Sequence, residues 1–336
     1  MIKACIAGIA YHLPDRVVTN EELAAQFPDW PAERIEQKVG ICERHIAAAD
    51  ECSSDLAVAA AEKLFASHPG TRERVDYVLL CTQSPDYFLP TTACLLQDRL
   101  RLSTSCGALD FNLGCSGYVY GLGLAKGLVE TGQASCVLLL TAETYSKFMH
   151  PEDKGVRTLF GDAAAATLIT ATEAVDDAIG PFVYGTDGRG AGDLIVAAGA
   201  MRKGLPTSPD TMNGIEAARF PKHLQMNGPA IFTFTLKAVP RAVESLLERV
   251  HLTLDQIDLF VFHQANSYML DQLRKKLRIP PERFALHMRA CGNTVSSTIP
   301  IVLAEAWQSG KVKPGMRLML VGFGVGLSWA AAMLRV

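Results

Sequence analysis

Three residues of this chain carry side chains suited to thioester chemistry, and each sits where a strand-like run ends or a helix-like run begins. Cys115 lies in NLGCSGYVYGL, His263 in FHQAN and Asn293 in CGNTVSSTIP. A thiolate attacks acyl carbonyls, while a neutral imidazole and a carboxamide can both donate hydrogen bonds to a charged oxygen. Cys115 follows the apolar run ALDFNL and opens a helical run, where unpaired N–H groups and the macrodipole favour the thiolate. Its neighbours Gly114, Ser116 and Gly117 leave room for a carbonyl, although the segment equally fits a core cysteine on a glycine-rich packing face. His263 closes LFVFH, and ligands of open α/β sheets gather at the carboxyl ends of strands. Taken alone it also fits a structural histidine, and Asn293 taken alone reads as a helix cap. The terminal GFGVGLSWA at 322–330 places glycines at 322, 324 and 326. They allow positive φ and close backbone approach, which serves either a tight turn or an N–H aimed at a developing oxyanion.

The elements that must position these groups come in two similar sets. An amphipathic run (Ser54 to Phe65) precedes VDYVLLCTQ at 75–83, and another (Leu236 to Val250) precedes IDLFVFHQA at 257–265. LLQDRLRL matches DQLRKKLRI, the Cys115 segment matches the Asn293 segment, and CVLLLTAE matches RLMLVGFG, all at an offset of about 180 residues. A repeated order at a steady offset predicts an internal duplication. The strand-like runs are continuously apolar, so both sheet faces are expected to be covered. The helical runs Tyr118 to Val129 and Ile299 to Trp307 are apolar nearly all round and must be buried on every side. The arrangement that satisfies both is a five-layer α/β/α/β/α fold from two duplicated halves, with those two helices between the sheets. Residues 1–175 form the first half with the cysteine, 231–336 the second with the histidine and asparagine, and 176–230 a connecting or inserted region. Pseudo-twofold packing would bring the starts of the two buried helices, and so Cys115 and Asn293, together.

Composition bounds the function. The chain has 336 residues, 49% of them hydrophobic, with a formal net charge of −3. That is enough for two core-sized units and supplies no basic footprint for nucleic acid or an anionic membrane. Its nine cysteines include no CxxC pair and no zinc-ligand spacing, so free thiols in a reducing compartment are expected. The N-terminal apolar run is short and broken by Pro14, and no stretch has the length of a membrane span. A cytoplasmic protein without metal is the expectation.

The Cys115 segment, HQAN at 263–266, GNT at 292–294 and GFGVGLSW, in that order, resemble the ketoacyl-ACP synthase III family of the thiolase-like fold. GICERHIA at 40–47 and LFGDAAAATLI at 159–169 resemble further signatures of that family, and the similarity runs from Ala7 to Val336. The resemblance implies a homodimeric condensing enzyme without a cofactor, using acyl-CoA or acyl carrier protein (ACP) thioesters. Cys115 would accept the acyl group, and the N–H groups of Cys115 and Gly326 would form the oxyanion hole. His263 and Asn293 would act on a malonyl thioester, malonyl-ACP in the family's usual reaction, giving a 3-oxoacyl product for fatty-acid or specialised acyl-chain synthesis.

Other positions depart from the family pattern. Where the family places a Trp and an Arg that sandwich the CoA adenine, this chain has Arg34 and Lys154, and a Lys lacks the flat stacking surface of a guanidinium. Arg34, Lys38, Arg44 and Lys154 remain candidate substrate-phosphate partners. Tyr268 replaces an Arg used in carrier docking, with Arg274, Lys275 and Lys276 nearby as substitutes, and Leu89 stands where a Phe borders the acyl pocket. Two other readings compete: an acyltransferase moving the acyl group to an alcohol or amine, and a non-catalytic paralogue acting in a heteromer. The intact Asn293 argues against the first, and retention of all three residues against the second.

Overall fold

The computed structural model describes residues 1–173, 177–204 and 222–336. The boundary at 175 and part of the 176–230 region lie outside the described residues. In chain order the first half begins with β1 (Ile2–His12) and a hairpin-like pair, β2 (Arg16–Thr19) and β3 (Glu43–Ile46), which encloses α1 (Asn20–Gln26) and α2 (Ala32–Val39). It continues through α3 (Ser53–Ser67), β4 (Tyr77–Cys81), α4 (Thr92–Arg99), β5 (Gly107–Phe111), α5 (Gly117–Glu130) and β6 (Cys136–Glu143). Then come α6 (Lys154–Arg157) and β7 (Ala163–Glu173). The second half runs β8 (Ile179–Thr186), the pair β9 (Leu194–Val196) and β10 (Leu224–Met226), α7 (Gly228–Val250), β11 (Leu259–Phe262) and α8 (Ser267–Lys276). It closes with α9 (Thr298–Gln308), β12 (Arg317–Gly324) and β13 (Ser328–Arg335).

Two sheets carry the architecture, ordered β1-β7-β6-β4-β5 and β8-β13-β12-β11. They correspond strand for strand. β4 pairs in parallel with β6 as β11 does with β12, and β7 runs antiparallel to β6 as β13 does to β12. The counterpart of β5 has shrunk to one parallel bridge, Phe260 to Phe284, so the second sheet stops a strand short. The continuously apolar runs are buried on both faces as expected: every residue of β6 and β11 is buried. One expectation changes. β8, which takes the place of β1 in the second sheet, lies inside the 176–230 stretch read as a connector. Its mixed pattern IGPFVYGT, with Pro and two Gly, concealed a strand.

Three cores fill the spaces between five layers. One lies under α3 and α4 on the outer face of the first sheet, around Leu56, Leu64, Leu80 and Leu138. A second surrounds α5 and α9 between the sheets, with Tyr118, Leu122, Leu139, Ile299, Leu303 and Leu320. The third packs α7 and α8 on the second sheet and reaches forward to Cys115 and Phe323. The apolar-all-round helices thus occupy the middle layer, where a helix lacking a polar face can be buried on all sides. None of the described helices is long and apolar enough to cross a membrane.

Candidate active site

The end of β12 joins two of the three sequence-selected residues, Cys115 and His263, and Asn293 reaches the same HQAN loop through Ala265 O. Its Gly324 lies so close to Cys115 that a Cβ there would stand 2.9 Å from both the cysteine Cβ and Sγ. The adjacent Phe323 ring meets His263 edge-on at 5.4 Å. Gly322 likewise admits the Cys115–Ser116 backbone, since a Cβ there would lie 2.7 Å from Ser116 Cα. The alternating glycines therefore serve close approach of two chains. The turn is closed by Gly117 N–H to Gly114 O and pinned by the hydroxyls of Ser116 and Ser328, 2.7 Å apart.

Cys115 stands just before α5, as expected, but its thiol is not acidified. It is 5% exposed, and burial, followed by the nearby Glu143, pushes it up to about 12. Its own N–H and that of Val325 oppose the rise. A rise from 9.0 to about 12 corresponds to about 4 kcal/mol, more than the roughly 0.3–2 kcal/mol a helix terminus supplies. The free site therefore holds a thiol. The second N–H on the sulfur belongs to Val325, one residue before the Gly326 selected from the sequence; Gly326, at φ 136°, makes the turn that follows.

The HQAN loop after β11 divides its work among its residues. Gln264 clamps the loop, donating to Phe262 O and Ala285 O and accepting the His287 N–H. Asn266 caps α8 through the Met269 N–H at 2.8 Å. The backbone N–H of His263 bonds Val321 O on β12. Its Nδ1 lies 2.8 Å from Thr298 Oγ1, and burial drives the imidazole down to about 3, so it is neutral at physiological pH.

Asn293 is held from both sides by the Leu159–Asp162 segment, its N–H on Leu159 O and its carbonyl accepting the Gly161 N–H. Its side-chain oxygen accepts the Val295 N–H at 3.0 Å, which directs the NH₂ toward the HQAN loop, 3.4 Å from Ala265 O. The carboxamide so oriented can act only as a donor at that end. Asp162 locks the segment, accepting from the Ala47 and Ser146 N–H groups and from the Ser146 hydroxyl.

Glu143 was not singled out in the sequence. It ends the otherwise uncharged β6, is fully buried, and accepts from Gln83 N–H, Ser84 Oγ and Ser296 Oγ. Burial raises it to about 8, so it ties the Asn293 loop to the β4 loop largely as a neutral acid at pH 7. A lone carboxylate at the end of an apolar run is the signal that could have found it.

Arg34, Lys38 and Lys154 do converge, and they do so on Trp30. Their charged groups lie 6.0, 4.7 and 5.5 Å from its ring. The aromatic surface expected at position 34 is thus supplied four residues earlier, ahead of α2. Lys154 is paired with Asp29. Leu89 does not reach this site: it is 87% exposed beside Tyr87 and Phe88 at the tip of the loop between β4 and α4. The basic residues on α8 are partly committed. Arg274 and Lys275 pair with Asp271, and Lys276 donates to Leu236 O, leaving Lys275 the most exposed of the ion-paired cations on that helix. Among the described residues no group of three or more His, Cys, Asp or Glu could hold a metal ion.

Comparison with known proteins agrees with the geometry. Residues 109–188 match the family described as 3-oxoacyl-(acyl-carrier-protein) synthase III, and residues 247–336 its C-terminal counterpart. The beta-ketoacyl-(acyl-carrier-protein) synthase III of Clostridium perfringens is 36% identical over 336 residues, covering 100% of both chains. A crystal structure of a 3-oxoacyl-(acyl-carrier-protein) synthase III is 56% identical with a TM-score of 0.95, covering 99% of this chain and 100% of that one. The 3-oxoacyl-(acyl carrier protein) synthase of Burkholderia xenovorans superposes with a TM-score of 0.91 at 36% identity, covering 100% and 95%. With a thiol and a neutral imidazole meeting at the end of β12, a carboxamide oriented onto the HQAN loop, and relatives matched along their full length, the chain belongs to the 3-oxoacyl-(acyl-carrier-protein) synthase III family.

Proposed function

We propose that this chain is a condensing enzyme that makes a 3-oxoacyl thioester in two half-reactions, with Cys115, His263 and Asn293 as its catalytic residues. In the first, the Cys115 sulfur attacks an acyl thioester, its proton leaves with the departing thiol, and an acyl-Cys115 thioester remains. The N–H groups of Cys115 and Val325 stabilise the tetrahedral oxyanion, since both already face the sulfur. In the second, a malonyl thioester loses CO₂ and leaves an enolate whose oxygen takes hydrogen bonds from neutral His263 and the Asn293 NH₂. The enolate carbon attacks acyl-Cys115, forming the carbon–carbon bond and expelling the thiolate, which recovers a proton.

The orientation of Asn293 carries this reading. With its oxygen engaged by the Val295 N–H, it presents donors and no acceptor to the site, as an enolate requires. That same feature disfavours transfer to an alcohol or amine, which needs a base. Each step handles its charge and protons with these groups, so the reaction runs without a metal or cofactor. The acyl donor is a CoA or carrier-protein thioester, and Trp30 with Arg34, Lys38 and Lys154 forms its outer binding surface. The extender is malonyl-ACP, docked near the exposed Lys275. The protein works in the cytoplasm as a homodimer. Support for the dimer comes from the apolar Tyr87–Leu89 tip and the edge strand β5 with Leu109 44% exposed, surfaces that a second copy would cover.

Intact-protein mass spectrometry after incubation with a panel of acyl-CoAs and acyl-ACPs, beside Cys115→Ala, tests the reading. One acyl adduct that vanishes in the variant is expected and identifies the primer. No adduct with any donor would overturn the assignment of Cys115.

A further inference from the structure

We propose that the cleft between the β2–β3 pair and the 146–157 segment is a phosphate-binding site. The cleft encloses about 280 Å³ and is lined by Arg16, Arg44, Lys147 and Arg157, with Ser146 and Met149 among its walls and no carboxylate in its lining. Four cations around one cavity without an acid leave a charge that an anion would neutralise.

Arg44 makes the case beyond a surface cluster. It is 1% exposed, yet among the described residues its guanidinium has only neutral acceptors: Asn20 Oδ1 at 2.8 Å, Thr158 O at 2.9 Å, Val18 O at 3.3 Å and Cys42 O at 3.5 Å. Its Nε is buried with no partner. Glu21 and Glu43 attract it only from a distance, with no ion pair to either among the described residues, and a buried cation without a direct counter-charge is costly. Among the described residues Arg157 likewise bonds only Gln26 Oε1 and Pro151 O, and it repels both Arg44 and Arg16. Arg16 is exposed and has no ion pair among the described residues. Lys147 donates to Ala49 O at 3.1 Å.

The acids nearby are placed otherwise. Asp162 behind the wall spends its oxygens on Ala47 and Ser146. Asp15, Asp50, Glu51 and Asp55 line an adjoining cavity, which shares Arg16, Ile46 and Ala48 with the cleft but brings none of these acids into its lining. Guanidinium forks match the oxygens of a tetrahedral oxyanion in pairs, which favours phosphate over a monovalent halide. The chemistry fits either inorganic phosphate or a phosphate monoester such as the 3′-phosphate of a CoA donor.

Titration calorimetry with inorganic phosphate at constant ionic strength tests the site without turnover, and so independently of the condensation reaction. Saturable binding to the wild type is expected, with sulfate competing and chloride not. Arg16→Gln and Lys147→Gln replace exposed side chains, and the double variant is expected to bind about tenfold more weakly or worse. Absence of saturable binding, or equal binding by the double variant, overturns the proposal. A second arm, resting on the proposed function, compares KM for an acyl-CoA and its 3′-dephospho analogue. Loss of the difference in the double variant assigns the site to the donor's 3′-phosphate. A difference that persists beside weakened phosphate binding assigns it to a free phosphate species.

Discussion

Replacing Asn293 with Asp separates the two half-reactions. The substitution keeps the size and the oxygen that accepts the Val295 N–H at 3.0 Å, and loses only the long 3.4 Å donation to Ala265 O from the loop's own contacts. What it removes is the NH₂ directed toward Ala265 and the site, and it adds charge where an enolate oxygen must form. Loss of one preorganised donor to an oxyanion costs about 10²–10³ in rate, or about 2.7–4 kcal/mol. Repulsion from a buried carboxylate adds to that, because position 293 is only 5% exposed. Decarboxylation of a malonyl thioester, followed by CO₂ release, should therefore fall by at least about 10²-fold. Acylation of Cys115, followed by intact mass, uses other donors and should stay within about threefold. Burial raises the new carboxyl group, so the loss should be smaller at lower pH, where a protonated acid regains one donor. Decarboxylation within about threefold of wild type would refute the donor role of Asn293. A parallel fall in acylation would show that the residue supports the loop and not the enolate.

Two further substitutions test the packing around the nucleophile. Gly324→Ala would place a Cβ 2.9 Å from Cys115 Sγ and Cβ, and the group that must yield is the nucleophile itself. Displacing it is expected to slow adduct formation by about 10²-fold, with a lowered Tm from overpacking of about 1–3 kcal/mol; unchanged adduct kinetics would contradict the observed approach. Glu143→Gln removes the carboxylate that helps hold the Cys115 thiol up, so iodoacetamide alkylation of Cys115 should move to lower pH. Because Glu143 is raised from 4.5 to about 8 in the folded chain, its contribution to stability is complete below pH 4.5 and is lost as pH rises through about 8. The variant should lack that alkaline decline in chemical denaturation. An alkylation profile identical to wild type would show that burial alone sets the thiol.

The parts of the site legible in the sequence are those that local chain direction determines. Cys115, His263 and Asn293 each follow or open an apolar run, and the repeat placed those runs in equivalent positions of two sheets. What escaped notice depends on contacts across the fold. The expectation of a thiolate at Cys115 used the helix terminus, which the sequence shows, and missed the burial that outweighs it. The N–H found beside the Cys115 sulfur is that of Val325 and not of Gly326, because glycine marks where backbone can turn, while the N–H that faces the sulfur is set by how the chain leaves β12. Trp30 stands outside the aligned position, and only the path of the chain into α2 carries it under Lys38 and Lys154. Leu89 showed the opposite failure. Its place in a motif suggested a pocket wall, but in a single chain it projects into solvent.

The shortened fifth strand of the second sheet has a consequence for assembly. Two complete repeats would each end, on this side, in a strand with one unpaired backbone edge, and a chain with two such edges can add copies at both ends and grow into a filament. Here β5 keeps its edge, while the corresponding end of the second sheet is reduced to the single contact of Phe284. A second copy that pairs through β5 about a twofold axis uses up that edge in both chains at once, so growth stops at two. If the chain forms the proposed homodimer, the loss of that second strand would limit assembly through β5 to a closed pair.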